Sequence, residues 1–147
     1  PRSTLFPYTT LFRSDGAEYD YYTTTKGILE KVRAHAGDVD FEVQPELLFL
    51  LSSGDFGRYA DEKGEMNVCF ISNNDITGGN SGSAMFNAKG ELLGLAFDGN
   101  WEAMSSDILY EPKMQRTIGV DVRYILFMIE KYGKAGNLIQ ELKLANP

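Results

Sequence analysis

The sequence predicts a mixed domain in which strands outweigh helices, on three observations. Two apolar runs within 84–97 flank a polar Asn-Ala-Lys-Gly turn, which is the pattern of a β-hairpin. Short apolar runs at 67–71 and 118–120 predict further strands. Apolar residues then recur at helical spacing from 122 to 132. We therefore expect a β-rich body followed by C-terminal helices.

The other elements are predicted from local composition. Residues 19–25 are aromatic and rich in threonine, which favours a strand, and 55–64 are polar, which favours a loop. Three further helices are expected, at 27–34, 45–51 and 138–142. The second of these has Pro45 in its first turn and is followed by Gly54, the residues that suit a helix start and a helix end.

The first fourteen residues are predicted to be foreign to the protein. Residues 5–14 match the translation of a widely used sequencing adaptor, and identity over that many residues is implausible by chance. We therefore expect residues 1–14 to be a translated adaptor sequence that is not native and residues 15–147 to be the protein-derived part.

Composition limits the classes of function. The chain has 147 residues, 43% of them hydrophobic, which is sufficient for one ordinary core, and it has no apolar run that could span a membrane. Its formal charge is −7, and residues 15–147 alone carry 12 basic and 21 acidic residues, a net −9. Such a surface repels nucleic acid and anionic lipid, so both are excluded as partners.

Metals and cofactors are not expected. The sequence holds a single cysteine, Cys69, and a single histidine, His35, which are too few for a zinc-type site. Cys69 lies in a predicted strand and is expected to be a buried, unreactive thiol. His35 lies beside glycine and aspartate, which favours an exposed loop residue over a catalytic base.

The segment Thr-Gly-Gly-Asn-Ser-Gly-Ser at 77–83 carries the chemistry. A nucleophilic serine needs an open approach and nearby backbone N–H groups for the developing oxyanion, and glycines on both sides of Ser81 allow both. The segment resembles the G-D-S-G-G-P pattern of trypsin-like proteases, which implies that the N–H groups of Gly79 and Ser81 form the oxyanion hole. The alternative is a glycine-rich hairpin without chemistry.

Three segments together, 75–83, 97–102 and 116–124, resemble the bacterial serine exopeptidases called dipeptidyl-peptidases seven and eleven, and the seven branch more closely. The resemblance covers the chain from about Tyr22 onward. It implies a partial chymotrypsin-like double β-barrel, of which this chain is the second barrel with C-terminal helices. In that family the catalytic histidine and aspartate lie upstream, so this chain is expected to be inactive alone.

The resemblance also assigns substrate contacts. Asp98, in the family motif Phe-Asp-x-Asn-Trp-Glu, would bind the substrate's N-terminal amine, the alternative being a turn-capping aspartate before Gly99. Gly99 would lie in the pocket for the second residue (P1), where it adds no charge and leaves room, with Phe97 as a wall. The acidic-specific branch has arginine at this position, so glycine implies a hydrophobic P1 residue. Asp75, six residues before Ser81, suggests basic specificity only if loop lengths match those of trypsin, and is discounted.

The predicted function is a periplasmic or secreted serine dipeptidyl-peptidase that acts on peptides, with a homodimer as one possible state of the full-length protein. Two alternatives remain open: a non-catalytic peptide-binding domain on a protease-like scaffold, and a trypsin-like endopeptidase. Trp101, Glu102 and Arg116 are expected to be structural, the first as a packed aromatic residue.

Overall fold

The computed structural model describes residues 11–12, 18–105, 108–109 and 111–145. They form two compact units, one containing the described residues up to Thr23 together with Cys69–Val122, the other containing Thr24–Val68 and the residues from Arg123 onward. The predicted adaptor sequence at 1–14 lies outside the described residues except for Leu11 and Phe12, so it stays a prediction.

The first unit is built on a β-sheet. The strands in chain order are β1 Leu11–Phe12, β2 Glu18–Tyr19, β3 Tyr22–Thr24, β4 Asn67–Ser72, β5 Ala84–Phe86, β6 Leu92–Gly99 and β7 Thr117–Asp121. The first two form a separate pair, and the other five form one sheet in the order β3-β4-β7-β6-β5. Neighbours from β4 to β5 pair antiparallel. The predicted hairpin is confirmed as β5 and β6, whereas the predicted strand at 19–25 is interrupted between β2 and β3.

Close packing of strands explains two glycines in this sheet. Its small core contains Phe70, Met85 and Ala96. A Cβ atom built on Gly94 would lie 2.0 Å from the Val120 carbonyl oxygen, so β6 and β7 could not approach as they do with a side chain there. Gly119 is also crowded, although by side chains.

Helices dominate the second unit. They are α1 Thr25–Ala34, α2 Pro45–Ser53, α3 Val122–Phe127, which continues as a π-helical turn at Met128–Tyr132, and α4 Gly136–Gln140. Pro45 occupies the first turn of α2, and Gly54 ends it with φ +70°, as predicted. The last helix begins two residues earlier than predicted.

The segment 55–64 is a loop, as predicted, but it also contributes to the core of the second unit. The buried residues of this core are Leu51, Phe56, Tyr59, Met66 and Phe127, two of them from that segment. A 3₁₀ turn at Gly57–Tyr59 turns the two aromatic rings inward, where both contact Phe127 edge-on. The segment is therefore part of the core, although half of its residues are charged.

Candidate active site

The segment around Ser81 folds as two successive β-turns. Asn80 N–H donates to the Thr77 carbonyl at 3.2 Å, and Ser83 N–H donates to the Asn80 carbonyl at 2.9 Å. The third residues of these turns, Gly79 and Gly82, have φ of +96° and +87°. Residues with a side chain rarely adopt such values, so both positions require glycine.

Asn80 stabilises the first of these turns. Its Oδ1 accepts a hydrogen bond from Thr77 N–H at 2.9 Å and lies 3.4 Å from the Thr77 hydroxyl. The Asn80 side chain therefore stabilises the turn by a hydrogen bond to the backbone of its first residue, as Asn commonly does in loops. This role of Asn80 was not predicted, although Asn in a Thr-Gly-Gly-Asn segment is a recognisable turn signal.

The turn that carries Ser81 is fastened to strand β6. Gly82 N–H donates to the Ala96 carbonyl at 2.7 Å, and Ala96 N–H donates to the Ser83 carbonyl at 2.9 Å. Ser81 itself is exposed, and its Oγ donates to the Phe97 carbonyl at 3.3 Å. Within the part of the chain that the structure describes, the N–H groups of Gly79 and Ser81 donate no hydrogen bond.

A β-bulge lies beside the serine. The pairing of β6 with β7 shifts between Ala96 and Asp98, so Phe97 is the extra residue on β6. Because the bulge breaks the alternation of faces, Phe97 and Asp98 are both exposed. Bulges commonly redirect side chains next to active sites, and here the bulged residue supplies the carbonyl that accepts from Ser81.

Asp98 has an exposed carboxylate. Its Oδ1 accepts a hydrogen bond from the Gly99 N–H at 2.8 Å. The local capping role considered as the alternative is thus present, and it leaves the side chain open to solvent. Binding of a substrate amine by Asp98 remains a proposal.

Gly99 is closely packed on its Cβ side, and the room predicted there for a substrate side chain stays a prediction. A Cβ atom there would lie 2.8 Å from the Ala103 Cβ, 3.5 Å from a methyl carbon of Ile76 and 3.7 Å from the Arg116 carbonyl oxygen. The first distance is shorter than real contacts between such atoms. Glycine at this position is therefore explained by packing against Ala103, which adjacent sequence patterns do not reveal.

Asn100 was missed as a structural residue of this region. Its Oδ1 accepts from Arg116 N–H at 2.8 Å, and its Nδ2 donates to the Glu102 carboxylate and to the Met114 carbonyl, both at 2.8 Å. The backbone N–H of Asn100 donates to the Arg116 carbonyl at 2.9 Å. These bonds join the end of β6 to the start of β7.

The predicted structural role of Arg116 agrees with its contacts, and that of Trp101 is wrong. The Arg116 guanidinium donates to three backbone carbonyls, those of Pro112, Lys113 and Gln115. Trp101, at the start of the 3₁₀ turn Trp101–Ser105, is 77% exposed rather than packed.

The remaining candidate residues lie outside this arrangement. His35 follows α1 in the second unit, is exposed, and stacks on Phe41 with ring centroids 4.0 Å apart. Cys69 is half-buried, less than predicted, and that burial raises the pKa of its thiol. The described residues contain no group of side chains that could hold a metal ion. None of the described helices is both long and apolar enough to cross a bilayer.

Comparison with known proteins shows the family. Residues 11–144 match the model of the family Peptidase S46, and the chain therefore belongs to this family. The resemblance inferred from the three motifs is thereby confirmed. The five-stranded sheet and the helices also match solved structures of relatives, whereas the double barrel is not tested by them.

Individual relatives are much longer than this chain. Dipeptidyl-peptidase 7 of Porphyromonas endodontalis is 59% identical over 130 residues, which are 88% of this chain and 16% of that protein. The Asp/Glu-specific dipeptidyl-peptidase of Capnocytophaga gingivalis is 48% identical over 131 residues, 89% of this chain and 18% of that protein. The crystal structure of Porphyromonas endodontalis DPP11 in complex with dipeptide Arg-Asp matches with a TM-score of 0.86 at 39% identity, over 92% of this chain and 19% of that chain. This chain thus spans less than a fifth of each of these relatives.

Proposed function

We propose that this chain is part of a longer serine dipeptidyl-peptidase that releases N-terminal dipeptides from oligopeptides. The observation that carries the proposal is the geometry of the segment around Ser81. Its exposed serine lies on two successive turns that each contain a glycine, and hydrogen bonds hold these turns to β6 beside a bulge. The chain also belongs to the Peptidase S46 family. A binding module would have no need of such a turn.

In the proposed reaction Ser81 Oγ attacks the carbonyl carbon of the substrate's second residue. The Oγ–C bond forms as a base takes the hydroxyl proton, and the oxyanion is held by the N–H groups of Gly79 and Ser81, which bond to no other described residue. The C–N bond then breaks and the leaving amine takes the proton. Water hydrolyses the resulting ester and frees the dipeptide. We propose that the base and the aspartate that orients it come from parts of the full-length protein outside this chain.

The exopeptidase character is assigned to Asp98. A dipeptidyl-peptidase must measure two residues from the free amine, and a carboxylate that pairs with the α-ammonium does so. Asp98 follows the bulge residue Phe97, whose carbonyl accepts from Ser81. The exposed position of Asp98 on the same strand supports this role.

We propose a hydrophobic second residue in the substrate. Apart from its two chain neighbours, the side chains nearest to a Cβ position on Gly99 are those of Ala103 and Ile76, and both are apolar. Phe97, 43% exposed, is proposed as an apolar wall. Relatives of this chain include both a dipeptidyl-peptidase 7 and an Asp/Glu-specific enzyme, so the family alone does not decide the preference.

Three further proposals rest on the resemblance. We propose that the five-stranded sheet is the second barrel of a chymotrypsin-like double-barrel unit, that the full-length protein is periplasmic or secreted, and that it forms a homodimer. Sequencing the parent gene would show whether a first-barrel half precedes this chain. Fractionation of the host cells would test the location, and the mass of the purified protein in solution would test the homodimer.

The nucleophile is tested by covalent labelling of the full-length protein. A fluorophosphonate probe should modify Ser81, and Ser81→Ala should abolish both the labelling and the release of dipeptides. His35→Ala is the matched control and should leave both unchanged, because the imidazole stacks on Phe41 in the other unit. An adduct on another serine would refute the assignment.

A further inference from the structure

We infer that Ala103 is a second specificity-determining residue, which acts as a pair with Gly99. The inference rests on the proposed function, in which Gly99 borders the site for the substrate's second side chain. Only one of these two positions can carry a side chain, and the other must then be glycine.

Ala103 fills the space on the Cβ side of Gly99. The Ala103 Cβ stands 2.8 Å from where a Cβ of residue 99 would be, and an ordinary contact begins at 3.4 Å. The next atoms, an Ile76 methyl carbon and the Arg116 carbonyl oxygen, lie at 3.5 and 3.7 Å, which are ordinary contacts. Of these three atoms, only the Ala103 Cβ is too close for a Cβ at position 99.

Ala103 cannot withdraw easily, because its turn is anchored. Ala103 N–H donates to the Asn100 carbonyl at 2.9 Å. Asn100 is itself held by the Arg116 backbone, which accepts from its N–H at 2.9 Å and donates to its Oδ1 at 2.8 Å. Moving the Ala103 methyl away from Gly99 means breaking bonds in this network, so a clash there is not relieved by rotation of a side chain.

The consequence for substrates follows from size. With Gly99 and Ala103 both present, the methyl group of Ala103 occupies the space on the Cβ side of Gly99. Removing it deepens the site by one methyl group, and one methyl group in an apolar pocket discriminates substrates by about 10–200-fold. Ala103→Gly should therefore favour a larger second residue in the substrate.

The test compares four forms of the full-length protein: unmodified, Gly99→Ala, Ala103→Gly and the double variant. Each is assayed by kcat/KM on dipeptide substrates with Ala, Leu or Phe as the second residue, and by thermal unfolding. Gly99→Ala should lower both kcat/KM and the unfolding midpoint, and the double variant should regain most of each. Ala103→Gly alone should raise the preference for Phe over Ala about tenfold. Ala88→Gly, at the exposed hairpin turn, is the control for loss of a methyl group and should leave the ranking unchanged.

The outcomes separate the inference from the proposed function. If the unmodified protein releases dipeptides but Gly99→Ala is as active and as stable as it, or the double variant is no better than Gly99→Ala, the pairing is wrong. An unchanged substrate ranking in Ala103→Gly overturns the specificity role. If the unmodified protein releases no dipeptides at all, the proposed function fails, and the specificity role fails with it.

Discussion

Replacing Gly94 by alanine should damage the sheet far more than replacing Gly119, although both glycines lie beside Phe70. A Cβ on Gly94 would meet the Val120 carbonyl oxygen at 2.0 Å, more than 1 Å inside the ordinary contact distance of 3.4 Å. A Cβ on Gly119 would meet the Met85 sulfur at 2.6 Å. The first obstacle is backbone and the second is a flexible side chain.

The difference sets the expected magnitudes. Overpacking that side chains can absorb costs about 1–3 kcal/mol, and Gly119→Ala should fall in that range because methionine adapts to irregular space. Gly94→Ala must push β6 from β7, so it should cost about 3 kcal/mol or more. β6 also carries the bonds that hold the Ser81 turn, and the full-length variant should therefore lose activity as well.

The assay is urea unfolding of the 147-residue chain for both variants, with Gly27→Ala as the control. Nothing lies within 4 Å of a Cβ on Gly27, in helix α1, so alanine there should stabilise by up to about 1 kcal/mol. Shortening Met85 to alanine should reduce the cost of Gly119→Ala but not that of Gly94→Ala. Equal stability of the two glycine variants would refute the reasoning.

Three further expectations follow from single contacts. Asp98→Asn keeps a capping oxygen but removes the charge, so kcat/KM on free-amine dipeptide substrates should fall by about 10² while thermal stability is unchanged; an equal loss on N-acetylated substrates would argue against amine binding. Asn80→Ala removes the acceptor for Thr77 N–H, so it should cost about 1 kcal/mol in stability and lower the fluorophosphonate labelling of Ser81. Full labelling would show that the turn forms without this hydrogen bond. The Tyr59 hydroxyl, 2.5 Å from the Glu130 carboxylate, lowers the pKa of Glu130, so this carboxylate stabilises the fold above its ordinary pKa and the stabilisation is lost as the pH falls through the lowered value. Urea midpoints of the Glu130→Gln variant should thus lie below those of the unmodified chain near neutral pH and converge with them in acid, and a constant gap would contradict this.

Much of the candidate site could be predicted from adjacent residues. Positive φ at Gly79 and Gly82 follows from a glycine-rich turn, and the hairpin that follows was visible in the alternation of apolar and polar runs. Both are local properties, because a turn is decided within four residues and a hairpin within about a dozen. The same holds for Pro45 and Gly54 at the ends of α2.

Other features depend on partners far along the chain. The bulge at Phe97 arises from the register of β6 against β7, about twenty residues later, and no pattern in the Phe-Asp-Gly-Asn segment marks it. Similarly, Trp101 resembles a core residue by type alone, yet it lies on the surface at 77% exposure.

The turn around Ser81, the order of the main elements and the family could all be predicted from the sequence, because they depend on residue types at short spacing and on shared motifs. The contacts of Ala103 with the Cβ side of Gly99 and of the Val120 carbonyl oxygen with that of Gly94 became visible only in the folded chain. The physical reason is that steric exclusion acts between atoms brought together by strand pairing and turn packing. The sequence alone does not show whether a glycine lines a pocket or packs against a neighbouring residue.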